Sequence, residues 1–174
     1  AKNGILVKKS DILENANKID VVVFDKTGTL TYGNLRISKI IHSSLYSERD
    51  LLTIVSSLEK RSTHPIAKAF LLYQKEHHLK SLEVTKFKNI AGIGLKGTVH
   101  GKEYFVGSNK LFTQYNLEDK FRQEEKELSL DGNSIVYVIE NKQVIGLIGV
   151  KDIIRDNARE VIKKLEQMNK QVIM

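Results

Sequence analysis

The chain has 174 residues, enough for one ordinary domain or two small ones, and its 41% apolar content fits a globular protein with a real core. No stretch approaches the roughly 18 apolar residues of a membrane-spanning helix. No signal peptide is expected, and the absence of cysteine excludes a disulfide framework and a thiolate metal site, so an intracellular setting is the simplest reading. The formal net charge of +7 suits polyanions, an anionic membrane face or plain solubility. Without an Arg-rich block or an aromatic-interleaved basic stripe, nucleic acid is not an expected partner.

In chain order, residues 19–24 (Ile-Asp-Val-Val-Val-Phe) predict a short strand buried on both faces. It delivers Asp25 to its carboxyl end, ahead of Lys26-Thr27-Gly28-Thr29. Residues 35–42 continue with strand composition. Ser47 and Asp50 form a capping-box pattern before Leu51, Leu52, Ile54, Val55 and Leu58, which have helical spacing. A second helix is expected from Pro65, with Ile66, Ala69, Phe70 and Tyr73 on one stripe. Residues 84–90, 94–99 and 103–107 read as strands, with His100-Gly101 as a tight turn. A polar helix is expected over 118–130, broken by Asp131-Gly132-Asn133. Residues 134–140 and 143–150 form a hairpin around Asn141-Lys142. Ala158, Val161, Ile162, Leu165 and Met168 make a helical stripe, and Gln171-Val172-Ile173-Met174 opens another strand. The first strand and the last helix–strand pair belong to one α/β pattern. The antiparallel middle is an insertion, with boundaries giving 1–33, 34–149 and 150–174.

In open α/β sheets, reactive groups gather beyond the carboxyl ends of parallel strands. A carboxylate at that place acts as nucleophile, as metal ligand or as a simple turn cap. The backbone N–H groups, cation and hydroxyls that follow Asp25 suit a tetrahedral anion such as phosphate. The string Asp-Lys-Thr-Gly-Thr-Leu-Thr, residues 25–31, resembles the phosphorylation signature of P-type ATPases, members of the haloacid dehalogenase-like superfamily. That resemblance implies that Asp25 attacks the γ-phosphate of ATP and becomes an aspartyl phosphate, with Lys26 and Thr27 beside it in the catalytic loop. It also implies Mg2+ held by the Asp25 carboxylate and the Thr27 main-chain carbonyl. Phosphatases of the superfamily usually place a second aspartate, an acid and base, where this chain has Thr27, which cannot do that work near neutral pH. A slowly hydrolysed phosphoenzyme suits an ion pump.

Leu58–Ala69, with Glu59 and Ser-Thr-His-Pro at 62–65, resembles a segment of heavy-metal-transporting P-type ATPases, the copper, zinc and cadmium type. Carried over by position, Glu59 contacts the adenine amino edge and His64 lies against the adenine ring; by itself His64 reads first as a helix-start residue before Pro65. Gly92-Ile-Gly-Leu-Lys-Gly97 matches Gly-x-Gly-x-x-Gly, but strand rather than helix follows it, which excludes a dinucleotide fold. It resembles the Gly-x-Gly of the same ATPase nucleotide domain, where Gly92 and Gly94 let backbone approach the nucleotide, with Leu95 an apolar neighbour; hairpin glycines are the plain alternative. Tyr104–Phe112 resembles the next family segment, giving Gly107 and, where asparagine is usual, Ser108. Asp152 and Arg155 match an Asp-x-x-Arg segment, as catalytic groups or as a local ion pair at a helix start.

The resemblance therefore implies an α/β haloacid dehalogenase-like Rossmannoid phosphorylation domain, incomplete in this chain, with an inserted α+β nucleotide-binding domain on an antiparallel sheet. It implies the ATP-binding part of a transition-metal pump, on the cytoplasmic side of a cell membrane, with transmembrane and actuator domains as partners. By itself the chain is expected to be monomeric and to bind ATP with negligible turnover. A soluble haloacid dehalogenase-like phosphatase and a non-catalytic nucleotide-binding module are the alternatives.

Overall fold

The computed structural model describes residues 15–16, 18–118 and 120–174. Its elements are β1 (Val21–Val23), a turn at Lys26–Leu30, β2 (Thr31–His42), α1 (Glu48–Glu59), α2 (Pro65–Glu76), β3 (Thr85–Ile90), β4 (Gly94–Val99), β5 (Lys102–Gly107), α3 (Lys110–Tyr115), α4 (Arg122–Leu130), β6 (Ser134–Glu140), β7 (Gln143–Ile154), α5 (Ala158–Gln167) and β8 (Gln171–Ile173). They divide into two compact units. One takes the described residues up to Gly33 with Ile153–Met174; the other is Asn34–Asp152. The second crossing thus lies a few residues beyond the expected 149, because β7 runs unbroken to Ile154.

The larger unit is a six-stranded sheet in the order β2-β7-β6-β5-β4-β3, antiparallel from β3 through β7. Its hairpins turn where two successive residues take positive φ: His100 and Gly101 (48° and 78°), then Asn141 and Lys142 (44° and 67°). Such turns match the twist of the flanking strands. Alternation along the strands feeds two cores. Tyr104, Val106, Val136 and Val138 face one way and meet Leu51, Leu52, Val55, Leu58 and Phe70 of α1 and α2. Phe105, Tyr137, Ile139 and Leu147 face the other and meet Leu111 of α3 and Leu128 of α4. Each such side chain contributes about 1.5–3 kcal/mol on burial.

Helix α1 begins where the capping box predicts: the Asp50 N–H donates to Ser47 Oγ at 3.1 Å, and the Ser47 N–H reaches back to Asp50 Oδ2 at 3.4 Å. Helix α2 begins at Pro65, whose missing N–H costs nothing in a first turn. The polar stretch expected as one helix over 118–130 starts later, at Arg122, and a separate short helix, α3, precedes it.

The smaller unit pairs β1 with β8 in parallel, Val22 opposite Val172, with α5 connecting into β8. Burial of β1 on both faces is not found: Val21 is 43% exposed and Val23 70%. Among the described residues β8 is the strand that pairs with β1, and Val22 between the two exposed valines is half-buried. Val161 and Met168 of the α5 stripe are likewise exposed. Among the described residues no helix is long and apolar enough to cross a membrane.

Candidate functional site

Two places carry chemistry. The first is the loop after β1. The Phe24 N–H makes the last tie to β8, donating to the Ile173 carbonyl at 2.8 Å, and the next residue is Asp25. Asp25 is extended (φ −70°, ψ 138°), and Thr27 (−80°, 119°) followed by Gly28 (82°, −12°) makes a type II turn, whose third position demands positive φ. Thr31, 2% exposed, locks this turn: its Oγ accepts from the Gly28 N–H at 3.1 Å and donates to the Lys26 carbonyl at 3.1 Å. Arg155 grips the same loop three times. Its Nε donates to the Thr31 carbonyl and its Nη2 to the Gly28 carbonyl, both at 3.1 Å, and its backbone N–H donates to the Leu30 carbonyl at 2.9 Å. Its guanidinium lies 5.0 Å from the Tyr32 ring, whose hydroxyl donates to Asp156 Oδ2 at 3.1 Å. Asp152 Oδ1 accepts from the Asn34 N–H at 2.9 Å. The loop backbone is thus fixed, while the side chains of Asp25, Lys26 and Thr27 stay exposed. Asp25 carboxylate and Thr27 carbonyl oxygens are hard donors that suit Mg2+, an ion bound through one or two carboxylates and substrate phosphates. Among the described residues no group of three His, Asp or Glu side chains gathers to make a fuller metal cage.

The second place is a pocket of about 530 Å3, within the range of small-molecule sites. Glu59, His64, Gly92, Gly94, Leu95, Gly107 and Ser108 all line it. The end of α1 brings Glu59, the loop into α2 brings His64, and the β3–β4 and β5–α3 connections bring the rest. Glu59 is only 6% exposed, and its Oε2 has no hydrogen-bond partner among the described residues. Burial pushes its carboxyl up to about 7, against a smaller opposite pull from the Ser62 hydrogen bond. An orphaned buried carboxylate oxygen in a pocket is a ready acceptor for a ligand donor.

His64 combines the two roles that its sequence left as alternatives. Its Nδ1 accepts from the Ile66 N–H at 3.2 Å and caps α2, while the residue also lines the pocket. The cap fixes the ring through one nitrogen and leaves Nε2 and the ring faces for other contacts. The glycines separate by role. Gly92, at φ 71°, supplies the left-handed position of the turn closed by the Ile93 N–H on the Ile90 carbonyl (3.0 Å). Gly94 and Gly107 are a cross-strand pair. A Cβ on Gly94 would stand 2.2 Å from the Val106 carbonyl oxygen, and one on Gly107 2.2 Å from that of Ile93. The space on the Cβ side of these two glycines is filled by neighbouring backbone, so their close approach across the strands accounts for the missing side chains, while both also line the pocket. Ser108 ties down the turn: its N–H and its Oγ both donate to the Ile93 carbonyl, at 2.8 and 3.2 Å. Leu95 is a 4% exposed core residue at the pocket floor. Asn89, Ile90 and Ile135 also line the pocket and were not singled out from sequence; they sit at the end of β3 and the start of β6, where nothing but the tertiary fold distinguishes them.

The family model for haloacid dehalogenase-like hydrolases matches residues 19–174. The chain belongs to that family. This haloacid dehalogenase-like chain is 33% identical over 175 aligned positions to a probable copper-importing P-type ATPase A of Enterococcus hirae, covering 100% of the chain and 23% of that protein. It is 36% identical over 181 positions to a cadmium-transporting ATPase of Staphylococcus aureus, covering 100% of the chain and 25% of that protein. Among solved structures, a zinc-transporting PIB-type ATPase superposes with a TM-score of 0.88 at 28% identity, over 98% of this chain and 28% of that one. The haloacid dehalogenase-like chain therefore spans 23% and 25% of the length of these two curated relatives.

Proposed function

We propose that the chain is the ATP-binding catalytic portion of a P-type ATPase that moves a transition-metal ion across a membrane through an aspartyl phosphate on Asp25. What supports this most directly is the pocket: residues far apart in sequence, Glu59 and His64 with Gly92, Gly107 and Ser108, line a single cavity of nucleotide size. In this reading the adenine amino group donates to Glu59, the acceptor left without a partner, and the base lies along His64. The Gly92 turn passes the ribose and phosphates. An Asp25 carboxylate oxygen attacks the γ-phosphorus in line, the bond from that phosphorus to the β,γ-bridging oxygen breaks, and ADP leaves with the electron pair. Mg2+ on Asp25 and the Thr27 carbonyl would offset the charge crowded onto the phosphoryl oxygens. Arg155 and Thr31 keep the loop backbone still, so that Asp25 holds its position without reorganisation. Thr27 gives no acid or base to the acyl phosphate, which then lasts long enough to be coupled to transport. The transmembrane and actuator parts of the pump are the partners, and this portion lies on the cytoplasmic side.

Nucleotide titration tests the pocket. His64→Ala weakens ATP binding about tenfold, the worth of one stacking contact. ATP also binds better than GTP, because guanine offers Glu59 a carbonyl in place of an amine. Equal affinities for ATP and GTP, or amide shifts mapping to a different face, contradict the proposal.

A further inference from the structure

Among the described residues that line the pocket there is no lysine or arginine, and the one carboxylate is that of Glu59. A nucleotide polyphosphate therefore finds no cation among the described lining residues. The structure supplies one just behind it. Lys110 Nζ lies 3.9 Å from the point where a Cβ on Gly92 would stand. No ion pair or hydrogen bond engages this ammonium among the described residues. Its backbone is held in place from both sides: Ser108 is bonded to the Ile93 carbonyl, and the Leu111 N–H donates to the Ser108 carbonyl at 3.1 Å, with the Leu111 side chain fully buried. A flexible stem on a fixed base, ending beside a bare glycine turn, is an arrangement for reaching a charged group that passes that turn.

We infer that Lys110 contacts the α- and β-phosphates of the bound nucleotide, so that the pocket discriminates adenine nucleotides by charge as well as by base. This rests on the nucleotide reading of the pocket. Affinities of the whole chain for adenosine, AMP, ADP and ATP test it, with Lys110→Gln, Lys110→Arg and, as a control for net charge, Lys126→Gln, a residue outside the lining. Lys110→Gln loses about five- to tenfold on ADP and ATP and nothing on adenosine, as removal of one charge-assisted contact requires. Lys110→Arg retains most of the affinity, and Lys126→Gln behaves as wild type. The gap between wild type and Lys110→Gln narrows in 1 M salt, where the screening length falls to about 3 Å. Unchanged ATP affinity in Lys110→Gln, or equal losses for adenosine and ATP, overturns the assignment of Lys110 while leaving the adenine site intact. A wild-type chain that binds neither adenosine nor ATP overturns the pocket reading and this inference with it.

Discussion

Replacing Glu59 by glutamine removes a buried ionisable group whose cost can be worked from the structure. Its carboxyl is raised from an ordinary 4.5 to about 7 by burial. Between those pH values the folded protein keeps a proton that the unfolded chain has released, so stability falls as pH rises. The contribution is complete below 4.5 and lost once pH passes about 7. At about 1.4 kcal/mol per pH unit the full loss is roughly 3 kcal/mol, a large share of a small protein's stability. Urea unfolding of wild type and Glu59→Gln from pH 4.5 to 8.5 measures it: wild type shows a descending curve, the variant a flatter one, and the two separate between pH 4.5 and about 7 and run parallel above. Glu140 does not confuse the comparison. Burial raises its carboxyl, but hydrogen bonds from Tyr46, Lys102 and Tyr104 outweigh this and hold it below 4.5, so its contribution is lost only at lower pH. An adenine amine that needs the carboxylate also expels the proton, so ATP binding near pH 6 releases protons in wild type and not in the variant. Parallel stability curves for the two proteins would refute the reasoning.

Gly94→Ala drives a Cβ into the Val106 carbonyl at 2.2 Å and the Gly107 Cα at 2.6 Å, and costs about 3 kcal/mol or more in chemical unfolding. Gly101→Asn, at φ 78° with nothing within 4 Å, costs less than about 1 kcal/mol, and equal effects would contradict the cross-strand role of Gly94. Arg155→Met leaves the Gly28 and Thr31 carbonyls without their donors. Hydrogen exchange at the Gly28 and Leu30 amides then accelerates about tenfold, the worth of about 1–2 kcal/mol of local order, and unchanged protection would show that the loop holds without it.

Local signals were legible wherever a few neighbouring residues decide the structure. Ser47 with Asp50, Pro65, and the Asn141-Lys142 turn specify caps and turns through their own backbone chemistry, and the elements follow there. The pocket residues were legible for a different reason: their short strings resemble a family, and the fold then brings those strings to one cavity. What sequence could not show depends on distant partners. The closeness of Gly94 to Gly107 is a property of strand register, which the two short strings that contain them do not reveal. Arg155 meets Gly28 across more than a hundred residues, so its grip on the Asp25 loop has no local signature. The apolar run of β1 suggests burial on both faces, but burial is set by what lies alongside, and β8 is its single described neighbour. Helix α3 is six residues long, too short for periodicity to reveal.

Phosphoenzyme trapping tests the central claim most directly. The full-length protein is incubated with γ-labelled ATP and Mg2+, quenched in acid and digested, and the labelled peptide is sequenced. The account predicts a hydroxylamine-sensitive label on Asp25 that disappears in Asp25→Asn, whereas label on another residue, or undiminished label in Asp25→Asn, would contradict it.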